Sequence, residues 1–328
     1  MQYTTLGRTG LRVSVAGLGS GGNSRLGLGT GKSEQDAVSL VRAALDLGIN
    51  FFDTAESYGT EQVIGRALAG ASRDRVVVSS KSRILDADGR PLPARAVITN
   101  LEQSLRRLGM QHVDVFHLHA VQLKHYEYAL AELVPPLLEQ KRLGKIGHLG
   151  ITETPPRDPD QAMLTRALDD ACWEVVMLAF HMMNQRPRLT VFPRTMAAGV
   201  GTLLMFVVRN IFSRPGVLRQ TVGELVRSGE LPDLLADDPE PLGFLLHAGG
   251  ASSLTDAAYR FARHEPGADV ILFGTGDPAH LRSNVASLLK PALPAGDVER
   301  LRALFGRLRG VGLVFPDQAS LNIPLSSI

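Results

Sequence analysis

The stretch Asn50-Phe51-Phe52-Asp53-Thr54-Ala55-Glu56-Ser57-Tyr58-Gly59 passes from a short apolar run into a polar loop, and its flanks give it meaning. An amphipathic stretch follows at 60–68, then a second apolar, β-branched run, Val76-Val77-Val78-Ser79-Ser80-Lys81. Strand, loop, helix and strand in that order make a βαβ unit, whose parallel strands are buried on both faces. The alternation continues along almost the whole chain. Eight runs read as strands, at 14–19, 50–53, 76–81, 113–119, 146–151, 175–180, 200–205 and 270–274.

The helices between them carry their own punctuation. Ser33 stands as an N-cap with Asp36 three residues on, Val38, Val41, Ala44 and Leu45 form an apolar stripe, and Gly48 ends it. Helical stretches at 60–68, 94–108, 126–143, 159–171, 189–198, 252–263 and 278–289 follow the later strands, and 298–309 reads as one more helix. The segment 206–250 breaks the period with Pro215, Pro232, Pro239 and Pro241 around a helix at 221–228, which makes it an enlarged loop after the seventh strand. At the other end, 3–6 and 11–13 flank Gly7-Arg8-Thr9-Gly10 and read as a β-hairpin able to plug a barrel. An open doubly wound sheet would show the same alternation. Eight units favour an α/β fold of the (β/α)8 TIM-barrel type, read as a single domain over 1–328.

Composition sets bounds. The chain has 328 residues, 44% of them hydrophobic, so it can bury a large core. Its 35 basic and 33 acidic residues leave a net charge of +2, and no Lys/Arg cluster interleaved with aromatics suggests a nucleic-acid partner. Cys172 is the only cysteine, and Met1-Gln2-Tyr3-Thr4 does not open a secretory signal, so a reducing cytoplasm is expected. The longest apolar stretch, 200–208, falls short of the ~20 residues that span a bilayer, so no membrane association is expected. No metal site is expected either.

Two nucleotide motifs fail on context. Gly17-Leu18-Gly19-Ser20-Gly21-Gly22 matches G-x-G-x-x-G after a strand, but the next helix waits until Ser33, whereas a dinucleotide fingerprint needs the helix to begin inside it. It reads as a flexible loop above strand one. Gly29-Thr30-Gly31-Lys32-Ser33 imitates a phosphate loop, but Leu26 stands where the first glycine is needed.

In a β/α barrel, chemistry comes from the C-terminal ends of strands and the loops just after them. Asp53 ends strand two, Tyr58 lies in the following loop, Lys81 ends strand three and His119 ends strand four. Taken singly, each has a bland explanation: a capping carboxylate, a surface ring, a strand leaving the core, a satisfied core histidine. Together they come from neighbouring units and can converge on one rim. His117 competes with His119 on the same strand face, and His181 is a weaker candidate.

Asn50 to Gly59, Ser80-Lys81 and Val113-Asp114-Val115-Phe116-His117-Leu118-His119 resemble, in order and spacing, the aldo-keto reductase superfamily. The resemblance implies a catalytic tetrad of Asp53, Tyr58, Lys81 and His119. Carbonyl reduction puts hydride on carbon and a proton on oxygen. Tyr58 would supply that proton if Lys81 drew its pKa from ~10 toward working pH. Asp53 would hold Lys81 charged, and His119 would polarise the substrate oxygen. The implied substrate is a small carbonyl or alcohol.

The resemblance also implies a nicotinamide cofactor across the rim, NADP(H) with NAD(H) the alternative, near Gly19, Ser20 and Asp53. Gly150-Ile151-Thr152-Glu153 stands where the family usually has Gly-Val-Ser-Asn. Thr152 keeps a hydroxyl, while Glu153 loses the amide's donor-and-acceptor pair. Met177 replaces a carboxamide-binding glutamine, and Phe180 a tyrosine that stacks on the nicotinamide. Gly274, Thr275, Gly276, His280, Arg282 and Asn284 fall in the segment that binds the adenosine 2′-phosphate, but Gly276 replaces the common Arg or Lys and Asp277 adds negative charge. Two other functions share this barrel and tetrad: a nucleotide sensor without turnover, and a redox-neutral lyase or epimerase.

Overall fold

The structure, a computed structural model, describes residues 1–236 and 238–313. An antiparallel pair, β1 (Tyr3–Thr5) and β2 (Arg12–Ser14), precedes β3 (Ala16–Gly19), β4 (Phe51–Asp53), β5 (Val77–Arg83), β6 (Val113–His119) and β7 (Ile146–Thr152). These are followed by β8 (Val175–Ala179), β9 (Gly201–Met205) and β10 (Val270–Phe273). Among the described residues, β3 to β10 close a parallel barrel in chain order, with β10 returning to β3. The expected strands agree within two residues at each end.

Period-two alternation divides the side chains between two cores. Phe51, Val77, Val115, Val175, Met177, Leu203, Val270 and Leu272 point inward and fill the barrel. Phe52, Val78, Phe116, Leu118, Ile151, Leu178, Leu204 and Ile271 point outward against the apolar stripes of the surrounding helices, for example Val38, Val41 and Leu101. This two-sided burial is why the strands read as nearly continuous apolar runs.

The N-terminal hairpin closes the barrel at the start of its strands. Leu6 and Val13 complete the inner core, and a Cβ on Gly201 would lie 2.7 Å from the Leu6 side chain. The Arg8 guanidinium donates to the carbonyls of Ala198, Ala171 and Trp173 at 2.7–2.9 Å, tying the plug to the floor.

Helix Glu34–Asp46 starts at the expected capping box, in which Ser33 and Asp36 bond reciprocally, and Ala94–Leu108 ends on Gly109 at φ 64°. The helix expected at 189–198 is divided into Pro187–Thr190 and Phe192–Ala198, the one expected at 298–309 runs Ala295–Phe305, and two others depart for local reasons. The stretch expected at 126–143 runs 123–142 with a π turn at Ala129–Leu133, just ahead of Pro135 and Pro136, which lack the N–H groups that regular α bonding needs. The stretch expected at 159–171 shrinks to Ala162–Ala167, because the Asp158 carboxylate accepts from the Ala162 and Met163 N–H groups and fixes the start there. In the enlarged loop, the helix expected at 221–228 is longer, Pro215–Arg227, with proline at its first position where an N–H is not needed. Residue 237 of that loop and 314–328 of the expected domain lie outside the described residues.

The plug is far from the rim where the strands end. Leu6→Ala should lower the unfolding free energy by about 2–5 kcal/mol through cavity formation while leaving ligand affinity at the rim intact. Urea unfolding alongside a binding titration checks both.

Candidate active site

Strand register assembles the polar groups. Asp53 pairs with Ser79, Ser79 with Val115, and Lys81 with His117 in adjacent strands. Asp53, Ser79, Lys81, His117 and His119 therefore share the inward face, above a filling of hydrocarbon. The Lys81 ammonium is completely buried and donates to both Asp53 carboxylate oxygens and to the Thr54 carbonyl, each at 2.7 Å. Its ion lies 5.1 Å from the Tyr58 ring centroid. The Tyr58 hydroxyl in turn lies 3.4 Å from His119 Nε2, with the two rings edge to face. The four residues expected to converge do so, and Tyr58 and His119 are the half-buried pair that reaches the opening.

Gly21 supports the tyrosine. A Cβ there would lie 2.7 Å from the Tyr58 ring, so the glycine of this loop serves a close ring contact rather than a phosphate. Ser20 is buried and spent on the Asp53 carbonyl at 2.9 Å and the Thr60 hydroxyl at 2.7 Å, which leaves it no side-chain surface at the rim. Gly19 sits half-buried at the tip of β3.

The electrostatics follow from burial. Burial alone would favour neutral Lys81, but the Asp53 carboxylate and the Tyr58 hydroxyl outweigh it and hold the ammonium more firmly than usual. Burial pushes the Asp53 carboxyl up, with Lys81 and Ser79 opposing it. For Tyr58 the outcome differs from the sequence expectation. Burial raises the phenol and exceeds the lowering by Lys81, so the hydroxyl stays protonated instead of moving toward neutral pH. His119 falls to about 3 through burial and the charges of Lys81 and Arg83, so its ring is neutral at working pH. Its buried Nδ1 has no partner. An unpartnered acceptor costs less than an unpartnered N–H, which places the ring proton on Nε2, toward Tyr58.

His117 lies below this layer, fully buried, with Nδ1 3.2 Å from the Ser79 hydroxyl, so it does not reach the opening. His181 sits in the loop after β8, fully buried and edge-on to Phe212.

The expected cofactor contacts divide. Thr152 is the last residue of β7, and its hydroxyl accepts from the Ala120 N–H at 2.7 Å. Glu153 is buried beside it, with Oε1 accepting from the Ala179 N–H at 2.7 Å and Oε2 without a partner. Burial, with Asp158 adding repulsion, pushes its carboxyl to about 8. The acid form therefore has the donor that the sequence reading denied it. Met177 lies in the hydrocarbon filling of the barrel. Phe180, read as a stacking face, is turned into the helix layer instead. It is fully buried, stacked on Phe261 at 5.5 Å and edge-on to Phe192, because residue 180 falls on the outward side of the β8 alternation. The apolar side chain that faces the opening is Met205, half-buried at the end of β9 above Leu203. Period two along β9 carried that signal.

Beyond β10, Gly274 is exposed, and the Thr275 hydroxyl is used by the Asp277 N–H at 3.0 Å. A Cβ on Gly276 would lie 2.5 Å from Gly27 Cα, so the loop after β3 occupies the place of a longer side chain. Asp277 caps helix Pro278–Leu288 by accepting from the Ala279 N–H at 2.6 Å, which puts a carboxylate at the helix N-terminus. His280 and Arg282 are exposed on that helix and Asn284 is half-buried.

A closed parallel barrel with a buried Lys-Asp pair behind a Tyr-His pair at its carboxyl rim defines a class of barrel enzyme, and comparison with known proteins agrees. The Aldo/keto reductase family model matches residues 17–305, so the chain belongs to that family. It is 31% identical over 210 residues to L-galactose dehydrogenase of Arabidopsis thaliana, covering 62% of this chain and 64%, less than two thirds, of the relative. It is 25% identical over 307 residues to the aldo-keto reductase YhdN of Bacillus subtilis, covering 86% and 87% of the two chains. The structure of aldo-keto reductase AKR11C1 from Bacillus halodurans, solved as a holo form, superposes with a TM-score of 0.70 at 23% identity over 93% of this chain and 96% of that one, a likeness of fold. Among the described residues, no helix is long and apolar enough to cross a membrane.

Glu153 titrates near 8 when folded but near 4.5 when exposed, so the folded state holds the extra proton between those values. Its stabilising contribution is present below pH 4.5 and is lost as pH rises through 8. The wild-type thermal midpoint should therefore fall more between pH 6 and 9 than that of Glu153→Gln; parallel melting curves would show that Glu153 is ionised in the native protein.

Proposed function

We propose that this protein interconverts a small carbonyl compound and its alcohol with a nicotinamide dinucleotide, using Tyr58 as the proton donor in reduction. The observation that carries this reading is the 3.4 Å approach of the Tyr58 hydroxyl to His119 Nε2, directly in front of the Lys81–Asp53 pair. When bound, the cofactor supplies or accepts the hydride. The residues at the rim fit such a group: an apolar face at Met205, the unpartnered Glu153 Oε2, and the Thr152 hydroxyl beside it.

This chain's residues do the proton chemistry. His119 Nε2–H and the Lys81 charge both act on the Tyr58 oxygen, which leaves the phenolic hydrogen free to point toward a substrate oxygen. A carbonyl oxygen that reaches Tyr58 also comes within reach of His119, so the two donors share the charge that develops on it. Lys81 then stabilises the phenolate left after transfer, and Asp53 keeps Lys81 from drifting, since three acceptors fix the ammonium.

The segment after β10 supports NAD(H) over NADP(H). A 2′-phosphate placed there would meet the Asp277 carboxylate, with no long side chain at Gly276 to receive it and with the Lys32 ammonium beside it already engaged by the Gly276 carbonyl at 2.6 Å. The relative named L-galactose dehydrogenase makes aldoses the first substrates to test.

Fluorescence titration should show NADH binding about tenfold more tightly than NADPH, a difference of about 1.4 kcal/mol. Tyr58→Phe should keep NADH affinity and lose turnover by about a hundredfold or more. Retained turnover would remove Tyr58 from its role. Cofactor consumed without matching product, or product formed without cofactor consumption, would favour a redox-neutral reaction.

A further inference from the structure

The barrel interior contains one feature that this chemistry does not use. Next to the hydrocarbon layer of Phe51, Val77, Val115, Met177 and Leu203 that fills the barrel, β5 and β6 supply Ser79 and His117, both fully buried. The Ser79 hydroxyl donates to Asp53 Oδ1 at 3.0 Å and meets His117 Nδ1 at 3.2 Å. A hydroxyl has one hydrogen. With that hydrogen given to the carboxylate, the imidazole must be the donor to Ser79, so His117 carries its proton on Nδ1.

The other ring nitrogen, Nε2, is buried without a partner, and the ring packs where a side chain on Gly150 would otherwise stand. Leaving such an atom unsatisfied destabilises the fold, and a leucine-shaped group would avoid the cost. The imidazole therefore weakens the core unless its Nδ1–H has a use. The Ser80 backbone also acts on the ring, but the side-chain hydrogen bond leads to Asp53, through Ser79.

We propose that His117 and Ser79 are positioning residues that act as a relay beneath the active site, stabilising the charged form of Asp53 and, through it, the ammonium of Lys81. This rests on the proposed function for its relevance to turnover, but not for its physical content. Polarised by the imidazole, the Ser79 hydroxyl is a stronger donor to the carboxylate than an isolated serine would be. The relay also fixes which Asp53 oxygen is engaged from below, so both oxygens stay in line with Lys81 Nζ. The groups that act on Asp53 are Lys81 and Ser79 from β5 and Tyr58 from its own loop, with His117 of β6 behind Ser79 and His119 of β6 behind Tyr58.

The test reads Asp53 itself. In protein labelled with 13C at aspartate carboxyl carbons, and with the Asp53 signal assigned from Asp53→Asn, the titration midpoint of Asp53 should rise by about 0.5–1 pH unit in Ser79→Ala. It should rise by a smaller amount in His117→Leu, which keeps the core filled. Ser79→Thr keeps the hydroxyl and should restore the wild-type midpoint. Where turnover is measurable, the acid limb of kcat/KM should move with the same variants while NADH affinity stays constant. An Asp53 midpoint unmoved in both Ser79→Ala and His117→Leu overturns the relay, as does Ser79→Thr behaving like Ser79→Ala. Because the carboxyl signal needs no turnover, a shifted midpoint in a protein that reduces no carbonyl would sustain the relay and reject the proposed function.

Discussion

Lys81 and Asp53 face each other across β5 and β4 with the ammonium removed from water and 2.7 Å from both carboxylate oxygens. Neither charge could stand there alone, since an isolated buried ion costs several kcal/mol and would neutralise instead. Paired, and with the Thr54 carbonyl taking the remaining ammonium proton, they place a fixed positive charge under the Tyr58 ring. The rest of the site is arranged around that charge. It adds to burial in keeping His119 neutral, it opposes the rise that burial imposes on the Tyr58 phenol, and it would stabilise the phenolate once the proton has left.

The barrel makes this placement possible. Inward positions recur every second residue, so one face of adjoining strands delivers Asp53, Ser79, Lys81, His117 and His119 to neighbouring places, while the positions below deliver hydrocarbon. The plug built on Leu6, Val13 and Arg8 seals the opposite end. Water is thereby kept from the underside of the ion pair, and the open rim is the side that a ligand can approach.

Much of this was legible in the residues. Apolar runs with polar terminal residues marked the strands, and the alignment of Asp53, Tyr58, Lys81 and His119 with strand ends marked the rim, because those are properties of order along the chain. What was not legible depended on facing and on sums of opposing effects. Phe180 looked like a ring for stacking, but one step of the alternation turns it outward and gives the opening to Met205. The direction of the Tyr58 shift needed the depth of burial as well as the presence of Lys81. Glu153 read as a lost amide because its protonation depends on an environment that sequence spacing does not report. Ser79 and His117 looked like strand filler until the register set them side by side.

The site stands or falls on whether Asp53 and Lys81 depend on each other. A double-mutant cycle with Asp53→Asn, Lys81→Met and the two combined, read by denaturant unfolding, measures that directly. The double variant should be more stable than the sum of the two single losses allows, by about 3 kcal/mol, because each single change strands a buried charge and the combination strands none. Losses that add to within about 0.5 kcal/mol would show that the two groups do not share a buried ion pair, and the site would have to be explained without one.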